Sequence, residues 1–399
     1  MPYYRSVGEV PRKRHTQFKQ PDGTLYREEL MGTEGFSADS ALLYHRHSPS
    51  DVLTAEAWEI DGDHGRPNHP LVPRLLQTHE LDVGGDAVTG RRLLADNADV
   101  RISYVAADQP SPLYRNAIGD ELYFVESGIA RCESVFGVLE VGPGDYVVMP
   151  TSTTHRWVPT AEGEPTRLLI VESRGTIRAP RRYVSDRGQF LEHSPYCERD
   201  LRSPEAPLLD EGDSVEVLVR HHTGGTRYVC AKHPFDVVGW DGCLYPYAFN
   251  VADFEPISGR IHQPPPTFQT FEGPNFVICS FVPHKAEYHP DAVIVPYHHA
   301  NVDSDELMFY GDGGRGGHGI TEGSITWHPA GFVHGPHIDE LEMSTAMYND
   351  GLVDIKPLNA VMIDTFRPLN VAPDALAVDD PGYLSTWRTA ITSPTRGAR

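Results

Sequence analysis

Two histidine segments in the C-terminal half of the chain hold the residues best suited to metal chemistry. The first segment contains His299 and Glu306, and the second contains His334. Two imidazoles and one carboxylate on one face of a metal ion form the ligand set of an open iron(II) site, which leaves positions free for substrate and dioxygen. We therefore predict that His299, Glu306 and His334 bind Fe(II) and that the protein is an enzyme.

The ligand assignment has one direct competitor. His298 stands next to His299, and adjacent side chains of a strand point to opposite faces. His299 shares its spacing of two with Asn301, so these two side chains can face the same side, whereas His298 should face away. We keep His299 as the ligand and His298 as the alternative.

Short apolar runs separated by glycine and proline must position these residues. Such runs at intervals of 8–12 residues are typical of a β-sandwich or barrel, and long amphipathic helical patterns are scarce. The fold class that we predict is mainly β. The clearest runs are 100–105, 121–125, 146–149, 168–171 and 276–282.

An internal repeat indicates that the barrel occurs twice. Residues 116–122 align without a gap with 301–307, and Gly144, Pro150 and His155 share the spacing of Gly323, Pro329 and His334. Jelly-roll barrels with inward-pointing His and Glu ligands are cupins, so two copies make a bicupin. We place an N-terminal structural domain at 1–225 and a C-terminal catalytic domain at 226–399, with 195–228 as a linker or irregular crossover.

The two copies differ in their chemistry. The first copy keeps Glu121 and His155 but has Tyr114 where the second has His299. One carboxylate and one imidazole should hold divalent iron poorly. We predict that the N-terminal barrel is structural and carries no metal.

Composition excludes several classes of partner. The net charge of −22 repels nucleic acid and anionic lipid, and no apolar run is long enough to span a membrane. The five cysteines are scattered and form no CxxC pair, which fits a reducing cytoplasm. We therefore expect a small-molecule substrate and a cytoplasmic location.

Several segments together resemble the homogentisate 1,2-dioxygenase family. They are residues 295–301 with Glu306, the run His334-Gly335-Pro336, the run 233–242 followed by 245–247, and the run 262–268. The likeness is strongest over 233–337. It implies an Fe(II) enzyme that cleaves an aromatic ring with dioxygen, and a homo-oligomer, either a trimer or a hexamer.

The same resemblance assigns further residues. His262 corresponds to the catalytic histidine that accepts a proton from a substrate hydroxyl, a task that suits an imidazole. His328 corresponds to a substrate contact and Tyr297 to a residue of the pocket wall. We add His337 to the substrate contacts; it replaces the aspartate of the family pattern HGPD.

One segment departs from the family pattern and leaves the substrate open. Residues 309–318 lack the tyrosine-bearing stretch that contributes substrate contacts in the family. Our leading hypothesis is cleavage of homogentisate to maleylacetoacetate, or the same reaction on a related hydroquinone acid. The alternatives are a metal-dependent cupin isomerase or hydrolase that uses no dioxygen, and a non-enzymatic bicupin.

Overall fold

The computed structural model describes residues 3–60, 64–160, 163–293, 297–311, 318–351, 355–356 and 358–387. Within these ranges the chain consists mainly of short strands with two α-helices, as the runs predict. The first strands are β1 Arg5–Gly8, β2 Arg27–Gly32, β3 Ser40–His45, β4 Val52–Trp58, β5 Arg66–Pro67, β6 Arg74–Gln77, β7 Arg92–Asp96, β8 Val100–Ala107, β9 Tyr114–Asn116, β10 Glu121–Ser127, β11 Ala130–Ser134, β12 Gly137–Val141, β13 Asp145–Met149, β14 His155–Pro159, β15 Thr166–Ser173 and β16 Leu201–Arg202.

The remaining elements follow in the second half of the chain. They are β17 Asp213–His221, β18 Gly224–Lys232, β19 Val237–Gly242, β20 Tyr247–Asn250, β21 Gln269–Gly273, β22 Phe276–Phe281, β23 His284–Lys285, β24 Asp305–Tyr310, β25 Ser324–His328, α1 Ile338–Asn349, β26 Ile355–Lys356, β27 Ala360–Thr365, β28 Asn370–Val371 and α2 Pro373–Ala377. Of the helices in the described ranges, none has the length and apolarity of a membrane span. All five cysteines are free.

The first barrel has a nine-stranded sheet on one side and a seven-stranded sheet on the other. Strand β10 shows why both faces of the larger sheet are apolar. Tyr123 and Val125 point into the barrel core, while Leu122 and Phe124 point into a second core on the opposite face. Because successive side chains of a strand alternate between faces, burial on both sides requires a continuous apolar run.

The second barrel repeats the pairing of the first. Strand β24 lies between β25 and β27, as β10 lies between β13 and β15. Glu306 pairs with His328 and Asp364 on its neighbours, and Glu121 pairs with Met149 and Glu172. These registers confirm the repeat, and the fold is a bicupin.

Aromatic side chains pack the two barrels against each other. Phe309 of β24 has its ring centroid 6.3 Å from Tyr104 and 6.0 Å from Phe124. The hydroxyl groups of Tyr146 and Ser280 are 2.8 Å apart across the same contact. This shared core positions one barrel against the other, because buried aromatic pairs contribute both apolar burial and a preferred geometry.

Pairing between strands crosses the predicted domain boundary in both directions. The division at 225/226 falls inside β18, β6 pairs with β25, and β20 pairs with β13. The division therefore stays a prediction. The expected linker is wrong for residues 213–228, because β17 and β18 form an antiparallel hairpin there. The charged residues around this hairpin obscured the buried run of Val217, Leu218 and Val219.

Candidate metal centre

A backbone bridge and one strand position the predicted ligands. His299 and His334 form an isolated antiparallel bridge, in which each backbone N–H donates to the other's carbonyl oxygen, with N···O distances of 2.7 and 2.8 Å. Glu306 is the second residue of β24. Gly335 lets the two histidine segments approach closely: its φ is 152°, and a Cβ there would lie 2.9 Å from the Cα of His298.

The three predicted ligand side chains converge on one point. One donor atom from each of His299, Glu306 and His334 lies within 4.8 Å of the others. Glu306 Oε1 is 3.2 Å from His334 Nε2, and Glu306 Oε2 is 3.6 Å from His299 Nε2. His298 is exposed and does not belong to this group. The geometry therefore brings together the residues that the spacing predicts.

The hydrogen bonding of His334 tests whether this group suits a cation. His334 Nδ1 is 3.0 Å from the carbonyl oxygen of Phe332, which can only accept, so Nδ1 carries the hydrogen. Burial lowers the pKa of His334, but the hydrogen bond with Glu306 outweighs burial and raises it. Nε2 and the carboxylate of Glu306 therefore share a proton at a position that a metal ion can take instead, and an Nδ1–H bond to a carbonyl is the usual support of a ligand imidazole. The donor set fits a divalent metal ion.

The protonation of Glu306 agrees with a ligand role. Burial raises its pKa, but hydrogen bonds with His299, His328 and His334 outweigh burial and leave the pKa well below its usual range. Burial also lowers the pKa of His328, against the opposing hydrogen bond to Glu306. The ionised carboxylate is the form of Glu306 that can bind a metal ion.

A half-buried carboxylate on β27, the strand paired with β24, supports the site. Burial, and then the charge of Glu306, raise the pKa of Asp364 to about 7. Asn301 donates from Nδ2 to Asp364 Oδ1 at 3.1 Å. Asn301 therefore links the first histidine segment to β27 and does not belong to the metal-binding group.

A cavity of about 320 Å³ opens beside the three residues. His262, Tyr297, His328 and His337 all line it together with the predicted ligands. One part of its wall is apolar and consists of Ile261, Phe268, Phe281, Met308, Ile320, Leu358 and Met362. The size and the mixture of apolar wall and converging polar groups are those of a small-molecule site.

His262 has a partner on each ring nitrogen. Its Nδ1 is 3.2 Å from Glu287 Oε1, and its Nε2 is 3.2 Å from the hydroxyl of Tyr297. Glu287 is buried. A carboxylate at Nδ1 selects the tautomer with hydrogen on Nδ1, which leaves Nε2 as the proton acceptor.

His328 and His337 are held differently. His328 Nδ1 lies 3.1 Å from Glu306 Oε1 and its Nε2 lies 3.1 Å from the hydroxyl of Tyr383. His337 Nε2 lies 3.1 Å from Thr386 Oγ1, and its ring stacks on Trp387. Both imidazoles face the cavity from positions that other side chains restrain.

Four further cavity residues escape sequence reasoning. Glu287, Tyr383 and Trp387 carry no local motif, and only tertiary contacts bring them to the site. Tyr310 lines the cavity as well, although we expected no tyrosine contact from the stretch 309–318. Residues 312–317 of that stretch lie outside the described part of the chain. Alternation along β24 is the one available signal for Tyr310, because it lies four residues after Glu306 on the same face.

Comparison with known proteins agrees with these features. Residues 87–251 match the family described as Homogentisate 1,2-dioxygenase N-terminal. A Saccharolobus solfataricus protein whose name assigns it provisionally as a dioxygenase is 37% identical over 396 residues, which cover 98% of this chain and 100% of that protein. The homogentisate 1,2-dioxygenase of Nitrobacter hamburgensis is 26% identical, with 91% of this chain and 86% of that protein covered.

More distant likenesses come from one further enzyme and from solved structures. The homogentisate 1,2-dioxygenase of Rhodopseudomonas palustris is 25% identical over 80% of this chain and 72% of its own length. A cupin 2 conserved barrel domain protein from Leptotrichia buccalis is 12% identical, covers 74% of this chain and 95% of its own, and has a TM-score of 0.30. The chain belongs to the homogentisate 1,2-dioxygenase family, whose dioxygenase chemistry implies a metal cofactor.

Proposed function

We propose that this protein is an Fe(II)-dependent ring-cleaving dioxygenase that converts homogentisate and dioxygen to maleylacetoacetate, or cleaves a related hydroquinone acid in the same way. The observation that carries the proposal is the convergence of His299, Glu306 and His334 on one side of a cavity that His262 also lines. Family membership supports the reaction class. The site should act on a small aromatic substrate and dioxygen.

His299, Glu306 and His334 would hold the iron. Bound there, Fe(II) would supply the oxygen chemistry, because two imidazoles and one carboxylate leave coordination positions open. His328 donates from Nδ1 to Glu306 and accepts from Tyr383 at Nε2. This chain of hydrogen bonds fixes the orientation of the carboxylate, as partners of metal ligands commonly do.

His262 is the proposed base. Glu287 holds the hydrogen on Nδ1, so Nε2 is free to accept a proton from a ring hydroxyl of the substrate. In the described structure the hydroxyl of Tyr297 occupies that acceptor at 3.2 Å. A substrate hydroxyl would take its place and lose its proton to Nε2. The resulting phenolate carries the added electron density that ring oxidation needs.

The apolar wall places the ring and limits water. Phe268 and Phe281 have ring centroids 4.8 Å apart and lie stacked beside the cavity. Met308 and Met362 pair across neighbouring strands and line the same cavity. An aromatic substrate gains apolar contact there, and a dry site strengthens the electrostatic interactions around the hydroxyl.

Oxygen uptake by metal-loaded protein tests the proposal. Protein reconstituted with Fe(II) should consume dioxygen and homogentisate in equimolar amounts and form a ring-opened product. Zinc- or manganese-loaded protein should show no uptake. Turnover of substrate without oxygen consumption would instead support the isomerase or hydrolase alternative.

The matched control is the neighbouring exposed histidine. His298→Ala should retain iron and activity, because its side chain lies outside the group of three. His299→Ala should lose both. Equal behaviour of the two variants would contradict the ligand assignment.

A further inference from the structure

The N-terminal barrel contains a cavity of its own, of about 280 Å³. Tyr114 and Glu172 line it, and by register these residues correspond to His299 and Asp364 of the second barrel. The cavity therefore lies beside the position that corresponds to the candidate metal centre, although Glu121 and His155 do not line it. Its charged lining differs in kind and consists of Arg91, Arg92, Arg101 and Arg220 with Glu59, Glu172 and Asp374.

Three of these guanidinium groups converge on the single carboxylate of Glu172. Arg91 Nη1 lies 2.8 Å from Oε1, and Arg220 Nη1 lies 2.8 Å from Oε2. Arg101 is less well satisfied, because its Nε stays 3.8 Å from Glu172 and its Nη1 stays 3.8 Å from Asp96. Both distances exceed that of a hydrogen bond.

The side chain of Arg101 is 16% exposed and has an unused donor. Its Nε is shielded from solvent and has no hydrogen-bond partner in the described part of the chain, a state that destabilises a fold. Burial, and then repulsion from Arg220, lower the pKa of Arg101. An anion in the cavity would offset the repulsion between Arg101 and Arg220.

Apolar groups complete the lining beside the arginines. Trp58 lies edge-on to Tyr114 with ring centroids 6.4 Å apart, and both rings line the cavity. Val88 and Leu93 add aliphatic surface. A ligand with a charged head and an apolar body matches this combination of lining groups.

We propose that this cavity binds a small organic carboxylate, which Arg101 holds through its guanidinium group while the body of the ligand lies against Trp58. A guanidinium presents its donors as a planar fork that matches a carboxylate. The carboxylate would accept a hydrogen bond from Nη1 of Arg101, which Asp96 leaves at 3.8 Å. This inference does not depend on the reaction at the other barrel.

Isothermal titration calorimetry with sodium benzoate, and with benzamide as its neutral counterpart, tests the site on the full chain. Benzoate should bind, and benzamide should bind about tenfold more weakly or worse, because it lacks the charge that strengthens the hydrogen bonds. Arg101→Met should weaken benzoate binding by a similar factor. Arg227→Met, an arginine on the neighbouring strand β18 that does not line the cavity, should leave it unchanged.

Two further variants keep the test decisive. Glu306→Ala should bind benzoate as the wild type does, which separates this cavity from the candidate metal centre. If Arg101→Met fails to fold, Arg101→Lys keeps the charge without the fork and should still lose affinity. Absence of benzoate binding, equal affinity for benzoate and benzamide, or loss of binding in Glu306→Ala with retention in the Arg101 variants would overturn the proposal.

Discussion

Each barrel surrounds one buried carboxylate, Glu121 in the first and Glu306 in the second. The two carboxylates have the same register but are neutralised in different ways. In the first barrel Glu121 accepts a hydrogen bond from Arg91 at 2.7 Å, and the guanidinium also lies over the ring of Tyr114. In the second barrel Glu306 faces three imidazoles instead. The comparison indicates that a guanidinium of the chain stabilises the fold of the first barrel. In the second barrel, a bound metal ion would take the corresponding place and support chemistry.

The imidazole common to both barrels strengthens the comparison. His155 Nδ1 lies 3.0 Å from the carbonyl oxygen of Thr153, as His334 Nδ1 lies 3.0 Å from that of Phe332. The partners around it have changed, with Tyr114 in place of His299. Arg91 supports the prediction that the N-terminal barrel holds no metal, because its charge already balances Glu121.

The largest expected effect comes from removing the carboxylate of the second barrel. Glu306→Ala should lose bound iron and reduce turnover by about 10³-fold or more, since metal-assisted stabilisation is worth several kcal/mol. The fold should persist, because within the described ranges the recorded ion pairs of Glu306 are with imidazoles and none is with a guanidinium. Metal analysis, oxygen uptake and circular dichroism measure the three outcomes. Iron retained at wild-type level would break the comparison.

Removing the proposed base should spare the metal. His262→Ala should keep iron but lower kcat by about 10²–10⁴-fold, the usual contribution of a positioned acid or base. Glu287→Gln should give a smaller loss, because it disturbs only the tautomer of His262. Steady-state oxygen uptake on both iron-loaded variants measures the difference. Full activity in His262→Ala would remove this residue from the mechanism.

Removing the internal cation of the first barrel should affect stability instead of chemistry. Arg91→Met leaves Glu121 and Glu172 buried with fewer partners and should destabilise the protein by about 3–5 kcal/mol. Urea unfolding measures the change, and the iron content per folded chain should stay the same. Arg227→Met, at an arginine whose partner Glu216 is also exposed, is the control and should change stability by less than about 0.5 kcal/mol. Equal stability of the two variants would contradict the role of Arg91.

The pH dependence of stability offers a finer test of the first barrel. Burial raises the pKa of Glu121, but the charges of Arg91 and His155 outweigh burial and lower it. A lowered pKa stabilises the folded state above the ordinary glutamate value of about 4.3, and this contribution is lost as the pH falls below it. In Glu121→Gln the free energy of unfolding should therefore fall less steeply than in the wild type between pH 5 and pH 3, values on either side of about 4.3. Identical slopes in urea unfolding would contradict the prediction.

The smallest expected effect is no change at all. Tyr114→His restores the imidazole that the first barrel lacks, yet Arg91 still supplies the positive charge beside Glu121. The variant should bind the same amount of iron per chain as the wild type in metal analysis. A second equivalent of iron would show that the missing imidazole alone keeps metal out.

Local patterns predict the parts of this molecule that repeat or alternate. The spacing of His299, Glu306 and His334 identifies a group that the structure brings together, and the repeat predicts the bicupin fold that β10 and β24 confirm. Both inferences use residues on paired or adjacent strands. The register of a strand follows from its sequence pattern, so such sites can be found without coordinates.

Contacts between distant segments could not be predicted in this way. Arg91 reaches Glu121 from a loop before β7, and Tyr383 reaches His328 from the C-terminal end of the described chain. Neither residue has a motif, and their roles depend on loop paths that alternation does not specify. The hairpin of β17 and β18 was missed for the opposite reason, because charged flanking residues outweighed a short buried run.

Anomalous diffraction at the iron absorption edge, from crystals of protein loaded with Fe(II), tests the central claim most directly. We predict a single peak per chain, within bonding distance of His299, Glu306 and His334, and no peak beside Arg91 and Glu121 in the first barrel. A peak elsewhere in the chain, or a fully loaded crystal without a peak between these three side chains, would contradict the assignment.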